Sequence, residues 1–443
     1  MPFENELATG ESLIALQKSV ALRDFEGVIA LRGENYVPDT APVVEVPRKS
    51  WIPRRVVAID GSSITHKVKN GFPGAEASLV MLSVVFIDVS KLASITPKEI
   101  PSPRIFNEMD TAHTLDAVLP GANIVRGEVE DDTPVNFFRK VVYDTLAGSL
   151  DNNHETLLDT LREITKGKSE SNIGCPIEGC SKRYTSAINK YFCGCARSAQ
   201  LFETDALRFH ERFNELGSNG EVHGEVRHVL EVLSLVNILR FFEHDDRIHF
   251  LRDCAFVLDG PLAVFGQPAW LAPYVREEII RISSKALSKN GCELLVMGVE
   301  KSGQYVTHFL DLDWTDDGGP RSKYPAQTVI IPGAKYVNRN IVFRPEDSKP
   351  SGIDTYFGRK VFYKTRSGSH AMVNIAIVNE EGRDFENTSH AAFPRLGDAL
   401  NILDHLSTYL YQDGFMPLVR AHAHAAIPLQ RGTEILTSLF KAG

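Results

Sequence analysis

The apolar positions of this chain change period along its length, and the changes mark its elements. Over residues 1–34, Leu13, Leu16, Val20 and Leu22 share one face at helical spacing. The proline-rich stretch 35–54 reads as a linker. A run of β-prone apolar residues, RVVAID, predicts a strand over 54–59 that ends at Asp60, with a polar, glycine-containing turn over 61–74. ASLVMLSVVFIDV, 77–89, predicts the returning strand. Helical spacing returns over 136–147 and 154–164. Over 225–242, Val226, Val229, Leu230, Leu233, Val236 and Leu239 recur at helical intervals and are apolar nearly all round, which predicts a buried helix. A strand over 254–258 runs into Asp259-Gly260, a helix covers 273–289, and a strand covers 293–299 with 306–313 as its partner strand. Beyond a turn-rich stretch, 315–360, paired strands are predicted at 361–364 and 371–378, and helices at 396–411 and 417–440.

Strands alternating with helices predict an α/β fold with a mixed sheet flanked by helices. A hairpin first and helices last suits an RNase H-like layout better than a doubly wound nucleotide binder. The chain carries no phosphate loop and no dinucleotide fingerprint. Four parts are expected: an N-terminal helix and linker (1–50), the first part of the core (51–100), a helical insertion with a cysteine cluster (101–222), and the remainder of the core with the C-terminal helices (223–443).

Charge narrows the functions open to this fold. A net charge of -9 argues against coating nucleic acid by bulk charge, while leaving room for a local basic groove or a partner that delivers DNA. No apolar run approaches the ~18 residues a membrane helix needs. The N-terminal stretch lacks the basic flank and apolar core of a signal peptide. A cytoplasmic protein with no membrane contact is expected. Six cysteines are too few for a disulfide framework in a chain this long. Cys254 and Cys292, alone in apolar runs, read as core residues.

Two strands that each run into Asp-Gly are the first candidates for chemistry. Asp60 is either a turn residue, Asp-Gly being favoured in tight hairpins, or a metal-binding carboxylate at a strand end. Asp259 faces the same choice. Two such carboxylates in one site repel unless a cation lies between them. Glu231 is the one ionisable residue in VLEVLSLVNIL, so it faces either a buried arginine or a metal. In MPLVRAHAHAAI, His422 and His424 are two apart, about 200° round a helix, so they cannot both face one site. Carboxylates with an imidazole select Mn²⁺ or Mg²⁺, the imidazole tilting the choice to Mn²⁺. Such ions activate water for phosphodiester hydrolysis. Lys301, just past a predicted strand, is a candidate phosphate contact or a solvated lysine. Cys175, Cys180, Cys193 and Cys195 crowd into one short stretch, which suggests structural zinc or four reduced thiols in a compact loop. Basic and aromatic residues interleave there, among them Lys182, Lys190, Arg197, Tyr191 and Phe192.

The order of these pieces resembles the NurA nuclease family: AIDGSS (58–63), RHVLEVL (227–233), FVLDGPL (256–262), GVEKSG (298–303) and PLVRAH (417–422). The resemblance covers about 51–100 and 223–440. It implies an RNase H-like fold, a homodimer, and a Mn²⁺-dependent (or Mg²⁺-dependent) deoxyribonuclease, exonucleolytic and with endonucleolytic cutting open. DNA and a HerA-type hexameric ATPase are the implied partners, in DNA repair or antiviral defence. Asp60, Glu231, Asp259 and His422 match the family's metal and catalytic positions. The family's site also holds a tyrosine shortly before the histidine. Tyr409 and Tyr411 are the near ones here, Phe415 occupies the neighbourhood, and the role is left unassigned. Two other readings stand beside this one: a non-catalytic DNA-binding or adaptor subunit of a motor complex, and an RNase H-like nuclease acting on RNA or transposon ends.

Overall fold

The computed structural model describes residues 11–28, 42–48, 50–67, 74–92, 110–129, 132–148, 155–166, 173–177, 179–185, 191–195, 199–314, 322–408 and 414–439. The chain divides into two units, Met1–Thr40 and Ala41–Gly443. In the first, helices span Glu11–Gln17 and Val20–Val28.

The second unit is built on one eight-stranded mixed sheet. Its strands are β1 (Arg55–Lys67), β2 (Glu76–Asp88), β3 (Asp110–Pro120), β4 (Cys254–Asp259), β5 (Val296–Glu300), β6 (Val329–Ile330), β7 (Gly358–Lys364) and β8 (His370–Ala376). Their order across the sheet is β6-β7-β8-β5-β4-β1-β2-β3. β1, β2 and β3 are antiparallel neighbours, and β4 and β5 continue the sheet parallel to β1. Three antiparallel strands followed by two parallel ones is the RNase H-like arrangement. β8, β7 and β6 extend it as an antiparallel wing.

Both faces of the centre are covered. On one lie α1 (Pro134–Ala147), α2 (Leu157–Ile164), α3 (Gly220–Phe242) and α4 (Ala272–Asn290), packed against Val57, Ile59, Phe256 and Leu258. α5 (Gln304–Asp313) and α6 (Ala334–Asn340) pack on the wing through Val306, Phe309 and Val337 against Phe362 and Met372. The second central face carries α7 (Leu396–Leu406) and α8 (Met416–Ala425). There Leu400, Leu403 and Leu418 meet Val56, Val257 and Met297. α9 (Leu429–Leu439) follows, with Leu436 buried. Burial on both faces is why residues 56–59 of β1 and 254–258 of β4 are unbroken apolar runs rather than alternating ones.

The helix expected over 417–440 is two helices, the turn-rich stretch 315–360 holds β6 and α6, and three further differences bear on the main sheet. β1 does not end at Asp60 but continues to Lys67, alternating in burial beyond Gly61. Residues 110–120, within the stretch read as insertion, form the third strand of the main sheet. Residues 306–313 are helical, because Val306, Phe309 and Leu312 bury one side at a spacing of three. Among the described residues no helix is long and apolar enough to cross a membrane.

Candidate active site

The parallel ladder of β1 and β4 runs from Arg55↔Cys254 to Ile59↔Leu258 and stops. Asp60 and Asp259 are the next residue on each strand. Side chains alternate between faces of a sheet, so both aspartates leave on the face that Val56, Ala58, Ala255 and Val257 occupy, the face of α7 and α8. The crevice beyond the C-terminal ends of parallel strands is where open α/β sheets bind ligands. α8 lies against β1 and β2 there, with Pro417 in its first turn. Its His422 donates from Nδ1 to Asp60 Oδ2 at 3.0 Å. Asp60 is buried, whereas the His422 side chain is 65% exposed.

Glu231 arrives from the opposite face, on α3. It is 2% exposed and fully engaged. Arg227, one turn earlier, bridges its Oε1, and that same guanidinium donates to the Gly61 carbonyl at 2.8 Å. His228 Nδ1 lies 3.2 Å from Glu231 Oε2, and its Nε2 lies 2.8 Å from the Ala263 carbonyl. Gly61 makes this approach possible. A Cβ at that position would stand 2.5 Å from Glu231 Oε1 and 3.0 Å from Arg227 Cγ. The glycine after Asp259 serves another purpose: Gly260 has φ +119°, left-handed territory that strains any other residue, and a Cβ there would meet nothing within 4 Å. Open space therefore lies beside Asp259.

The electrostatics reflect an excess of negative charge. Burial, then the charges of Asp259 and Glu231, push Asp60 up to about 6, and the hydrogen bond from His422 offsets only part of this. Asp259 is also raised, by burial first and then Glu231, against the opposing charges of Lys301, His422 and Arg227. A buried aspartate and a half-buried one, both resisting ionisation at neighbouring strand ends, form a site short of positive charge.

The structure thus brings Asp60, Asp259 and His422 together on one face. It sets Glu231 behind them across β1, close enough for its charge to act on both aspartates. Lys301 is exposed just past β5 and bears on Asp259. His424 turns elsewhere, its Nε2 3.4 Å from Arg420 Nη2. Both histidines sit in the last turn of α8. The other acids at the ends of α3 are held in ion pairs, Glu225 with Arg212, and Glu243 with Arg281 and Lys285. Tyr409 and Tyr411 lie outside the described residues. Sequence reasoning missed Arg227 and His228 as partners of Glu231, although spacings of four and three on a helix were available to find them.

The four cysteines form a second centre. Two short hairpins, Ile173–Gly174 with Arg183–Tyr184 and Tyr191–Phe192 with Gln200–Leu201, carry them. Among the described residues, these are the one set of three or more Cys, His, Asp or Glu ligand atoms that all lie within 4.8 Å of one another. None is in a disulfide. Lys190 and Arg197 lie outside the described residues.

No protein-family model matches the chain, and no curated protein matches it. Among solved structures it is similar to the NurA nuclease from Sulfolobus solfataricus, at 11% identity and a TM-score of 0.32 over 98% of this chain and 97% of that one. A second structure described as NurA gives 10% identity and a TM-score of 0.26 over 98% of each chain. At these values the likeness carries nothing about activity, and the site stands on its own geometry.

Proposed function

We propose that the chain is a NurA-like, divalent-metal-dependent DNA nuclease whose site is the crevice at the ends of β1 and β4. The observation that carries this reading is the placement of Asp60, buried, and Asp259, half-buried, side by side at the ends of adjacent parallel strands, both raised in pKa and faced by His422. The donor set fits Mg²⁺ or Mn²⁺, which is commonly held by one or two carboxylates and completes its shell with water and substrate phosphate. Asp60 and Asp259 would hold it, and the imidazole beside them favours Mn²⁺. Bound there, the ion supplies the Lewis acidity and water activation that phosphodiester hydrolysis requires.

The chain's own residues do the rest. His422 fixes Asp60 through Nδ1 and keeps an exposed ring toward solvent, where it can meet a scissile phosphate. Lys301 places a free-standing charge beside Asp259 for the DNA backbone. Arg227 and His228 anchor Glu231, whose charge keeps the demand for a cation high. Gly260 leaves room for a ligand to approach. With a net charge of -9 the chain has little general attraction for DNA. Delivery by a HerA-type hexameric ATPase to a homodimer of this chain is therefore part of the proposal, and co-elution with light scattering tests it.

Degradation of end-labelled linear DNA and RNA with Mn²⁺ is the direct test. Wild type is expected to cut DNA, and Asp60→Ala and Asp259→Ala to be folded and inactive. If Asp60→Ala cuts as well as wild type, the site lies elsewhere. Preference for RNA would move the chain to another nuclease class. Glu231 favours a second reading: both its oxygens are engaged, as in a structural ion pair, which suits a non-catalytic DNA-binding or adaptor subunit. Wild type inactive with and without the motor, and without Mn²⁺ binding, would make that reading the better one.

A further inference from the structure

We propose that Cys175, Cys180, Cys193 and Cys195 hold one structural Zn²⁺. The local fold presents the four thiols in pairs. In the first hairpin, Cys175 follows the strand and its N–H donates to the Lys182 carbonyl at 3.2 Å, while the Cys180 N–H closes a turn on Ile177 at 3.0 Å. In the second, the Cys193 N–H donates to Ala199 at 2.8 Å, and Cys195 follows two residues on. Lys182 also reaches across to the Gly194 carbonyl, tying one turn to the other. All four sulfurs fall within 4.8 Å of one another. A single zinc with Zn–S of about 2.3 Å sets its sulfurs about 3.8 Å apart, so the set needs at most a small contraction. Two disulfides would draw the sulfurs into two pairs, and an iron–sulfur cluster would hold them further apart than one ion does.

Packing supplies an independent reason for a metal. The apolar cluster beside the four thiols is Cys193, Ala199 and Leu201, with Ile177, Tyr184 and Tyr191 partly buried against it, and Ile173 is the further buried apolar residue of the described hairpin strands. So small a core cannot offset the entropy of ordering the segment, at roughly 1–2 kcal/mol per residue, without a staple. The far ends of the hairpins are already pinned. Gly174 donates to Glu211 Oε1 at 2.9 Å, His210 Nε2 lies 3.0 Å from the Gly174 carbonyl, and Arg139 donates to the Gln200 carbonyl at 2.8 Å. The turn ends have the cysteines and Lys182 to hold them. Four thiolates leave no open position, so the ion is structural. The proposal is independent of the nuclease reading, since it shares no residue with the sheet crevice.

Metal content of the full-length protein, expressed with zinc supplied, tests it. Wild type, Asp60→Asn and Cys292→Ser are each expected to carry about one zinc per chain, and the pairs Cys175→Ser/Cys180→Ser and Cys193→Ser/Cys195→Ser none. Replacing zinc with Co²⁺ in wild type should give the intense bands of tetrahedral thiolate coordination. Should the cysteine variants fail to fold, the wild-type stoichiometry and cobalt spectrum still decide. Wild type without zinc and without cobalt–thiolate bands overturns the proposal. So does bound iron in place of zinc, zinc retained by the paired cysteine variants, or zinc lost in Asp60→Asn.

Discussion

Two aspartates are buried against the same sheet and are treated in opposite ways. Asp313, at the end of α5, accepts from Lys364 Nζ at 2.6 Å, His370 Nε2 at 2.7 Å, the Tyr324 N–H at 2.6 Å and Ser322 Oγ. Burial alone would raise its pKa, but these donors hold it down at about 2. Among the described residues Asp60 has one side-chain donor, an exposed histidine, and two acids for neighbours, and it stands at about 6. A carboxylate there to hold the fold together is surrounded by donors. One left short of positive charge has room for a cation the chain does not supply. The same test separates Glu231, which Arg227 and His228 satisfy, from Asp60 and Asp259, which keep their demand.

The comparison can be broken at either end. Asp313→Asn should cost the most, about 3–5 kcal/mol, because it strands the buried Lys364 charge. The lowered pKa of Asp313 means its contribution is present above pH 3.8 and is lost as pH falls through about 2. Denaturant unfolding at pH 7 measures the loss, and a variant as stable as wild type would show the donors to be idle. Asp60→Asn should act in the opposite direction. A raised folded pKa gives stability that is full below 3.8 and lost as pH rises through about 6. In chelator at pH 8 the variant should therefore be the more stable, by on the order of 1–3 kcal/mol. The gain should vanish near pH 4, and excess Mn²⁺ should reverse the ranking by stabilising wild type alone. A variant less stable than wild type at pH 8 in chelator removes the case for charge excess.

Gly61→Ala sharpens the picture at intermediate cost. The added Cβ meets Glu231 and Arg227, so about 1–3 kcal/mol should be lost. Coupling of more than about 0.5 kcal/mol to Glu231→Ala in a double-mutant cycle would show that the clash is the cause. Additive effects would place it elsewhere. Lys301→Ala should matter least. Stability should be unchanged and DNA affinity slightly weaker, with the slope of log K against log salt lowered by about 0.9 for a duplex. An unchanged slope would make it a solvated lysine.

How much of this was legible in the sequence depends on where each residue's partner lies. The runs ending in Asp60 and Asp259 were visible because strands covered on both faces are continuously apolar. Their two glycines looked alike and are not: Gly260 turns the chain, while Gly61 stays in a strand and clears space for a helix some 170 residues further on. No local pattern encodes that. β3 escaped notice because it lies at the sheet edge, where Thr111, Thr114 and Asp116 face solvent and dilute the apolar signal. The sequence of α5 suits either period, because an eight-residue run of mixed apolar residues is too short to tell a strand from a helix. The cysteines needed no partner beyond themselves, and they stood out from the start.

Asp60 and His422 stand 362 positions apart in the chain. A contact of that span carries a large loop-closure cost unless the sheet between has already drawn the two segments together. The β1–β2 hairpin can assemble while its aspartate still lacks the imidazole. The crevice is thus assembled from segments at opposite ends of the described sheet unit, and a chain in which α8 is undocked holds Asp60 without its imidazole.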